Sequence, residues 1–256
     1  MNKKYFEKIL ACPVCKASVQ SKRHKPDCRL KKISFTQKMG IFNFITKSDE
    51  TKPLLENEKM HQRGFWGKIP DGSYEILASF AKGNNTLDIA CGEGWIEKLA
   101  PDTVGLDFSI SALKKAKKNG AKYLVWADAK NLPFIDNSFD LTICAGSLEN
   151  IERPKKAILE MARVSKIQIM TVHREFDLPF SKIARFLVSL LLKIKHQPVE
   201  KPLKWSELEA MLKQAGLRIV FKGYWTLPVN YGKIISFLPV LSKVPSSFFV
   251  VTIKQP

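Results

Sequence analysis

Short apolar runs alternate with amphipathic stretches from about residue 73 onward in this chain of 256 residues. The apolar runs have the length and β-branched content of buried strands. They lie at residues 87–90, 104–107, 123–127, 141–145, 166–172, 217–221 and 248–253. Strands that alternate with helices predict an α/β fold built on a mainly parallel sheet.

The amphipathic stretches carry helix-boundary signals that sharpen this prediction. Ser109 and Gly120 bracket a helix over residues 109–118, and Pro154 suits the first turn of a helix over residues 154–164. Two further helices are predicted at residues 73–82, with Ser73 as N-cap, and at residues 206–216, with a Ser206/Glu209 capping box.

The glycine-containing stretch 86–107 is the strongest functional signal. A strand ends before Gly92 and Gly94, a short helix follows, and a second strand ends on Asp107, nineteen residues after Asp88. This order is typical of nucleotide-binding units, in which the backbone approaches the ligand and a carboxylate accepts hydrogen bonds from a ribose. Glu97 occupies the third glycine position of such a turn. A carboxylate is a poor neighbour for a pyrophosphate, so the pattern favours a nucleoside without phosphates.

These pieces resemble the class I S-adenosylmethionine-dependent methyltransferases, most closely the type 11 group, over roughly residues 72–223. The matching segments are LDIACGEG at 87–94, VGLD at 104–107, WADAKNLPFIDNSFDLTIC at 126–144 and SLENIERPKKAILEMARV at 147–164. The resemblance implies a Rossmann-like seven-stranded methyltransferase sheet that closes with an antiparallel hairpin. It also implies S-adenosyl-L-methionine (SAM) as the cofactor.

The resemblance assigns parts of the cofactor to particular residues. The first strand and the glycine turn would hold the methionine end, Asp107 the ribose hydroxyls, and Asp128 with Ala129 the adenine. The cofactor-binding residues implied in this way are Asp88, Ala90, Cys91, Gly92, Gly94, Asp107, Phe108, Asp128 and Ala129.

No catalytic group is assigned, because the cofactor brings the reactivity and the protein supplies position and electrostatics. Glu149 and Asn150 follow the fourth strand and are candidates for contacting the substrate; many relatives carry a histidine where Asn150 stands. They could equally cap the helix over residues 154–164. His173 follows the fifth strand, where it could act as a base or serve only a structural role.

The first 48 residues form a basic, cysteine-containing segment. Cys12 and Cys15 are spaced so that both thiolates can reach one tetrahedral metal. Cys28 follows after twelve residues, and His24 could complete a zinc site. The alternative is a ribbon that has lost its metal and keeps its shape.

This segment resembles the N-terminal zinc segment of the large-subunit ribosomal RNA guanine-N1 methyltransferases. Lys38, Gly40 and Asn43 match a further stretch of that family, whereas Lys32 replaces its histidine ligand. A related ribbon also occurs as a separate methyltransferase-activating subunit. The resemblance favours a docking or substrate-recruiting module.

The chain is therefore divided into a zinc-ribbon-like segment at 1–48, a linker at 49–71 and a SAM-dependent methyltransferase domain at 72–256. In the linker, the cluster of His61, Arg63, Phe65 and Trp66 could cover the cofactor or anchor the linker to the domain. The apolar stretch 183–194, flanked by basic residues, could be a lid over the substrate or lie on a membrane surface.

Composition adds an expectation about partners. The net charge is +18 and the isoelectric point is near 9.7, which favours RNA or an anionic membrane surface, or reflects only solubility. Five cysteines and no secretory signal favour a cytoplasmic protein.

Three functions stay open at this point. Methyl transfer to RNA is slightly favoured over transfer to a small or lipid-like molecule, and a non-catalytic SAM-fold binding protein is the third. The sequence indicates no oligomeric state.

Overall fold

The computed structural model describes residues 1–20, 28, 36–45, 51–63, 72–174, 202–225 and 247–255. The strands are β1 (Thr36–Lys38), β2 (Ile41–Asn43), β3 (Thr86–Ile89), β4 (Val104–Asp107), β5 (Tyr123–Trp126), β6 (Phe139–Ala145), β7 (Ser165–His173), β8 (Leu217–Trp225) and β9 (Ser247–Lys254). The α-helices are α1 (Lys3–Ile9), α2 (Lys52–Gln62), α3 (Ser73–Ala81), α4 (Trp95–Leu99), α5 (Ile110–Lys118), α6 (Pro154–Val164) and α7 (Trp205–Gln214).

The strands form one mixed sheet in the order β1-β2-β5-β4-β3-β6-β7-β9-β8. The central strands β5, β4, β3, β6 and β7 are parallel, and β9 runs antiparallel to both β7 and β8. The predicted seven-stranded methyltransferase sheet with its closing hairpin is thereby confirmed. Since the central strands are parallel, their carboxyl ends meet at one edge, where ligands bind in open α/β sheets.

The sheet is covered on both faces, which explains why its central strands are apolar throughout. Every residue of β3 and β4 is buried. Neighbouring positions of β6 enter different parts of the core: Ile143 packs with α3 and α4, and Cys144 packs with α6 and α7.

The N-terminal segment extends this sheet at one side. β2 pairs in parallel with β5, and β1 pairs antiparallel with β2. Phe6, Ile9 and Leu10 are buried in the main core cluster. The segment therefore shares its hydrophobic core with the methyltransferase sheet.

Two predicted helix caps were wrong. α3 is preceded by Gly72 in the left-handed conformation, with φ +78°, and Ser73 is the first helical residue. α7 begins at Trp205, whose ring packs against Phe248 with the ring centroids 5.3 Å apart. Glu207 accepts a hydrogen bond from the backbone of Lys204 at 3.4 Å, so the predicted Ser206/Glu209 pair is not the cap.

Several sequence predictions fall outside the described residues. These are His24, Phe65, Trp66 and the apolar stretch 183–194. Among the helices that the structure does describe, none combines the length and the apolar character needed to cross a bilayer.

Candidate cofactor site

The turn after β3 is shaped by left-handed backbone. Ala90, Gly92 and Gly94 have φ of +58°, +55° and +76°. A Cβ on Gly94 would lie 2.7 Å from the Cβ of Ala116 in α5, so only glycine fits there. The backbone N–H of Cys91 donates to the carbonyl of Leu106 at 3.0 Å. The turn is thus fixed to β4 at the carboxyl edge of the sheet.

Asp107 ends β4 and joins this turn. One carboxylate oxygen accepts from the backbone N–H of Gly92 at 2.9 Å, and the other accepts from Ser109 at 2.7 Å. Asp107 is only 5% exposed. The structure therefore brings the carboxylate predicted to bind ribose against the glycine turn.

Three carboxyl groups are buried together beneath the turn: Asp88, Glu97 and Asp107. Burial is the main cause that raises the pKa of Glu97 to about 8. Burial, followed by the negative charge of Glu97, raises the pKa of Asp88 well above its usual value. The pKa of Asp107 is also raised, mainly by burial, although the charge of His61 opposes this rise. Three neighbouring carboxyl groups that resist ionisation gain stability as anions when a positive charge enters, so the site favours a cationic ligand.

Polar atoms in this group lack hydrogen-bond partners among the described residues. They are Oδ1 of Asp88 and both side-chain oxygens of Glu97. Buried oxygens without partners are uncommon in native proteins and often mark a ligand site. SAM fits these residues, because it brings an ammonium and a sulfonium to a carboxyl-rich turn and carries no phosphate.

Helix α2 covers the turn from the other side. Glu58 accepts hydrogen bonds from the hydroxyls of Ser109 and Ser111, each at 2.5 Å. His61 is 6% exposed, and its Cε1 lies 3.9 Å from the position that a Cβ on Gly92 would take. His61 lies beside the glycine turn, and the same helix is hydrogen-bonded to α5 through the donation of Lys115 Nζ to the carbonyl of His61 at 2.9 Å, so both predictions for His61 stay open. The role of Glu58 was missed, because a helix in a polar linker carries no motif.

The adenine-side residues lie at the next strand ends. Asp128 follows β5 and accepts from the backbone N–H of Lys130 at 2.8 Å. Ala129 is buried, and the carbonyl of Phe108 accepts from the indole N–H of Trp126 at 2.7 Å. A cavity of about 210 Å³ opens beside Asp128. Its lining residues are Thr51, Asp128, Lys130, Asn131, Glu152, Arg153 and Lys156.

The substrate-contact candidates lie at the ends of β6 and β7. Glu149 is buried, and one of its oxygens contacts Nδ1 of His173 and accepts from the His173 backbone N–H at 3.3 Å. Asn150 stands on the same 3₁₀ turn. No side chain caps α6 at Arg153, so the capping alternative for Glu149 was wrong. The strand-end pattern located both members of this pair, but nothing in the sequence showed that they meet.

Three of the four predicted metal ligands converge near the N-terminus. The sulfur atoms of Cys12, Cys15 and Cys28 all lie within 4.8 Å of one another, and those of Cys12 and Cys28 are 3.8 Å apart. Burial is the main cause that raises the pKa of Cys12 to about 11. The trio supplies a donor set typical of a thiolate metal site.

Comparison with known protein families identifies the central part of the chain. Residues 87–168 match the family described as "Methyltransferase domain". The chain carries a methyltransferase domain. The matched region contains the glycine turn, Asp107, Asp128 and Glu149, so the site described above lies within this domain.

Curated relatives of this domain carry several names. A demethylmenaquinone methyltransferase of Renibacterium salmoninarum is 39% identical over 102 residues, 38% of this chain and 43% of that protein. Uncharacterized protein MJ1252 of Methanocaldococcus jannaschii is 34% identical over 172 residues, 66% of this chain and 63% of that protein. A malonyl-[acyl-carrier protein] O-methyltransferase of Buchnera aphidicola is 42% identical over 85 residues, 31% and 34% of the two chains. The chain thus spans less than two thirds of these relatives.

Solved structures support the fold. Magnesium protoporphyrin IX methyltransferase (ChlM) from Synechocystis, solved with bound SAH, aligns with TM-score 0.57 and 12% identity over 80% of this chain and 100% of that one. A complex of the Haloferax volcanii Trm112 methyltransferase activator and a methyltransferase contains a chain that aligns with TM-score 0.57 and 16% identity, over 79% and 94% of the two chains. At these identities the similarity establishes the Rossmann-like methyltransferase fold and nothing finer.

Proposed function

We propose that this chain transfers a methyl group from SAM to a small or lipid-like acceptor. The observation that carries the proposal is the buried group of Asp88, Glu97 and Asp107 beneath a left-handed glycine turn, within a methyltransferase domain. This arrangement suits a cationic nucleoside without phosphates.

The described residues have distinct tasks in this proposal. SAM supplies an electrophilic methyl group on a sulfonium. The turn at residues 91–94 and Asp88 hold the methionine end, Asp107 accepts hydrogen bonds from the ribose, and Asp128 faces the adenine. α2 closes over the turn through Glu58 and His61, which keeps water away from the reacting centre. Catalysis then depends on the placement of the acceptor in line with the methyl group.

The acceptor class follows from the names of the relatives. A demethylmenaquinone methyltransferase and a malonyl-[acyl-carrier protein] O-methyltransferase are both named for small or lipid-linked acceptors. These names favour a small or lipid-like acceptor over RNA, which the charge alone had slightly favoured. RNA stays as the second candidate, because the net charge is +18 and a cysteine cluster adjoins the domain.

Label transfer separates these functions. Purified protein is incubated with methyl-labelled SAM and either a lipid extract or total RNA from the same cells. We expect label in the lipid extract and none in the RNA. Label in RNA alone would overturn the acceptor class, and protein that binds SAM without labelling either extract would favour the non-catalytic reading.

We also propose that the cysteine trio binds zinc, with His24 or a water as the fourth ligand. Two thiolates that are about 2.3 Å from one tetrahedral zinc lie about 3.8 Å apart. The sulfur atoms of Cys12 and Cys28 are separated by 3.8 Å. Elemental analysis of the purified protein should give about one zinc per chain, and a Cys12→Ser variant should lose it. Equal zinc in both proteins would place the metal elsewhere.

A further inference from the structure

Glu149 and His173 form a pair at the edge of the sheet where a methyl acceptor would enter. Glu149 lies on the 3₁₀ turn after β6, and His173 ends β7, the neighbouring parallel strand. Nδ1 of His173 contacts a carboxylate oxygen of Glu149. The two residues therefore meet although they are 24 positions apart in the chain.

The pair is unequal in exposure. The side chain of Glu149 is 0% exposed, whereas that of His173 is 28% exposed. The second carboxylate oxygen of Glu149 has no hydrogen-bond partner among the described residues. An ionised carboxylate only accepts hydrogen bonds, so this contact assigns the proton of the ring to Nδ1, from which it is donated to Glu149.

The strand pairing places the ring at the same edge of the sheet as the cofactor turn. Gly146 follows β6 in the left-handed conformation, with φ +57°, and a Cβ on it would lie 3.5 Å from Cε1 of His173, so the backbone approaches the ring closely there. β6 lies between β3, which carries Asp88, and β7, which ends at His173, because Ile143 pairs with Asp88 and Ala145 pairs with Thr171. Cys144, between Ile143 and Ala145 on β6, has a buried thiol. Its pKa is raised mainly by burial, then by the charges of Glu149 and Asp88. One thiol thus lies within electrostatic reach of both the pair and the methionine end of the site.

We propose that His173, oriented by Glu149, is the base that removes the proton of the acceptor, and that the acceptor therefore carries a phenolic, hydroquinone or enol hydroxyl. This inference rests on the proposed function. The acceptor forms a bond to the methyl carbon through its oxygen, or through its activated ring carbon, which then loses its own hydrogen as a proton while the oxygen regains one, so that the ring becomes aromatic again. The carbon–sulfur bond breaks and its electron pair stays on sulfur. The hydroxyl proton moves to Nε2 of His173, and Glu149 balances the imidazolium.

The pair discriminates between acceptor classes. A carboxylate acceptor is already deprotonated at neutral pH and gains nothing from a base. A phenolic hydroxyl has a pKa of about 10, so it is protonated at neutral pH and needs a group to take its proton. A histidine positioned by a buried carboxylate is suited to this second task.

The test uses two probes, one with a protonated hydroxyl and one with a carboxylate that is already ionised. Full-length protein is given SAM with either 1,4-naphthohydroquinone, kept reduced, or a malonyl thioester. We expect methylation of the hydroquinone. His173→Ala should lower kcat on this probe by about 100-fold or more, because a general base contributes that much. The Kd for SAM should stay within about twofold, because His173 contacts no part of the cofactor in this proposal.

Two further measurements separate a base from a structural histidine. Added imidazole should restore part of the activity of His173→Ala, since the small base can enter the vacated space. In two-bond proton–nitrogen NMR spectra, His173 should show the Nδ1-protonated tautomer, and Glu149→Gln should change it. The chain has only four histidines, so the His173 signals can be assigned by comparison with His173→Ala. Lys166→Ala, an exposed position on the same strand, is the matched control and should keep wild-type activity.

Each other outcome overturns the inference. These outcomes are wild-type activity of His173→Ala on the hydroquinone, no rescue by imidazole, an unchanged tautomer in Glu149→Gln, or methylation of the malonyl thioester alone. A wild-type protein that binds SAM but does not methylate the hydroquinone overturns the acceptor class and leaves the proposed function standing. Failure to bind SAM overturns the proposed function itself.

Discussion

At the scale of single residues, the candidate site is defined by three neighbouring carboxyl groups that are buried beneath the glycine turn. Asp88, Glu97 and Asp107 all have raised pKa values, and burial is the largest cause for each. Such an arrangement is unfavourable in the absence of a ligand and becomes favourable when positive charge enters. Two consequences can be measured.

The first concerns Asp107, whose carboxylate faces the predicted ribose position. Asp107→Ala should weaken SAM binding about 100-fold, because hydrogen bonds from two hydroxyls to a charged group are lost. Titration calorimetry gives the Kd, and circular dichroism checks the fold. Asp102→Ala is the control, since Asp102 is 62% exposed and pairs only at the surface with Lys122 and the N-terminus. Equal affinity of both variants would place the ribose elsewhere.

The second concerns Glu97 and the dependence of stability on pH. Its pKa is about 8 in the folded protein and about 4.5 when unfolded, so the folded state holds the proton more tightly. The resulting stability is fully present below pH 4.5 and is lost as the pH rises through about 8. From pH 6 to 9 the free energy of unfolding should fall by ~3 kcal/mol more in wild type than in Glu97→Gln.

Denaturant unfolding of both proteins without ligand at several pH values tests this prediction. The difference between the two curves reports Glu97 together with the groups whose pKa its charge raises, above all Asp88. Parallel curves would mean that Glu97 ionises normally in the folded protein.

At the scale of elements, the regular parts of the domain were predictable and the contacts between distant segments were not. β3, β4 and α5 follow from apolar runs, from Gly92 and Gly94, and from Ser109, which caps α5 by accepting from Ala112 at 3.0 Å. These signals are local. The glycine turn and Asp107 could be assigned because one short unit contains both.

Contacts between residues that are far apart in the sequence leave no recognisable pattern within either stretch. The hydrogen bonds of Glu58 to Ser109 and Ser111 join segments about fifty positions apart. The pairing of β2 with β5 likewise depends on how the N-terminal segment folds back. Tertiary packing decides such contacts, and a pattern of residue types within one stretch does not encode them.

The N-terminal segment that carries the cysteines is hydrogen-bonded to the connection that follows the adenine-side residues. The backbone N–H of Ala11 donates to Pro133 at 2.9 Å, and that of Ile135 donates to Ile9 at 3.0 Å. Lys16 bonds the carbonyl of Leu132 at 3.1 Å and pairs with Glu160 at 2.8 Å. The ribbon therefore braces the chain just after Asp128 and Ala129.

This bracing predicts coupling between the metal and the cofactor. Removal of zinc by a chelator should raise the Kd for SAM by about fivefold or more, as expected for coupled sites. A Cys12→Ser variant should show the weaker affinity from the start and should not respond further to the chelator. An unchanged Kd in the chelated wild type would show that the ribbon folds and braces the site without metal.

At the scale of the whole molecule, the net charge of +18 is shared by the methyltransferase domain and a basic N-terminal segment. A lipid-like acceptor would be presented at a membrane, and a cationic surface is attracted to anionic headgroups. We expect the protein to sediment with vesicles that contain anionic phospholipid and to remain in solution with zwitterionic ones. About 0.5 M salt should release it, because screening shortens the reach of surface charge. Equal binding to both vesicle types would show that the positive charge of the protein is not the cause of its binding to membranes.

The central claim is that the carboxyl-rich glycine turn binds a cationic adenosyl ligand and rejects a pyrophosphate. Calorimetric titration of the purified full-length protein with SAM, and separately with NAD⁺, tests it most directly. We predict saturable binding of SAM at one site per chain and no measurable binding of NAD⁺. Absence of SAM binding, or NAD⁺ binding of equal strength, would contradict the account.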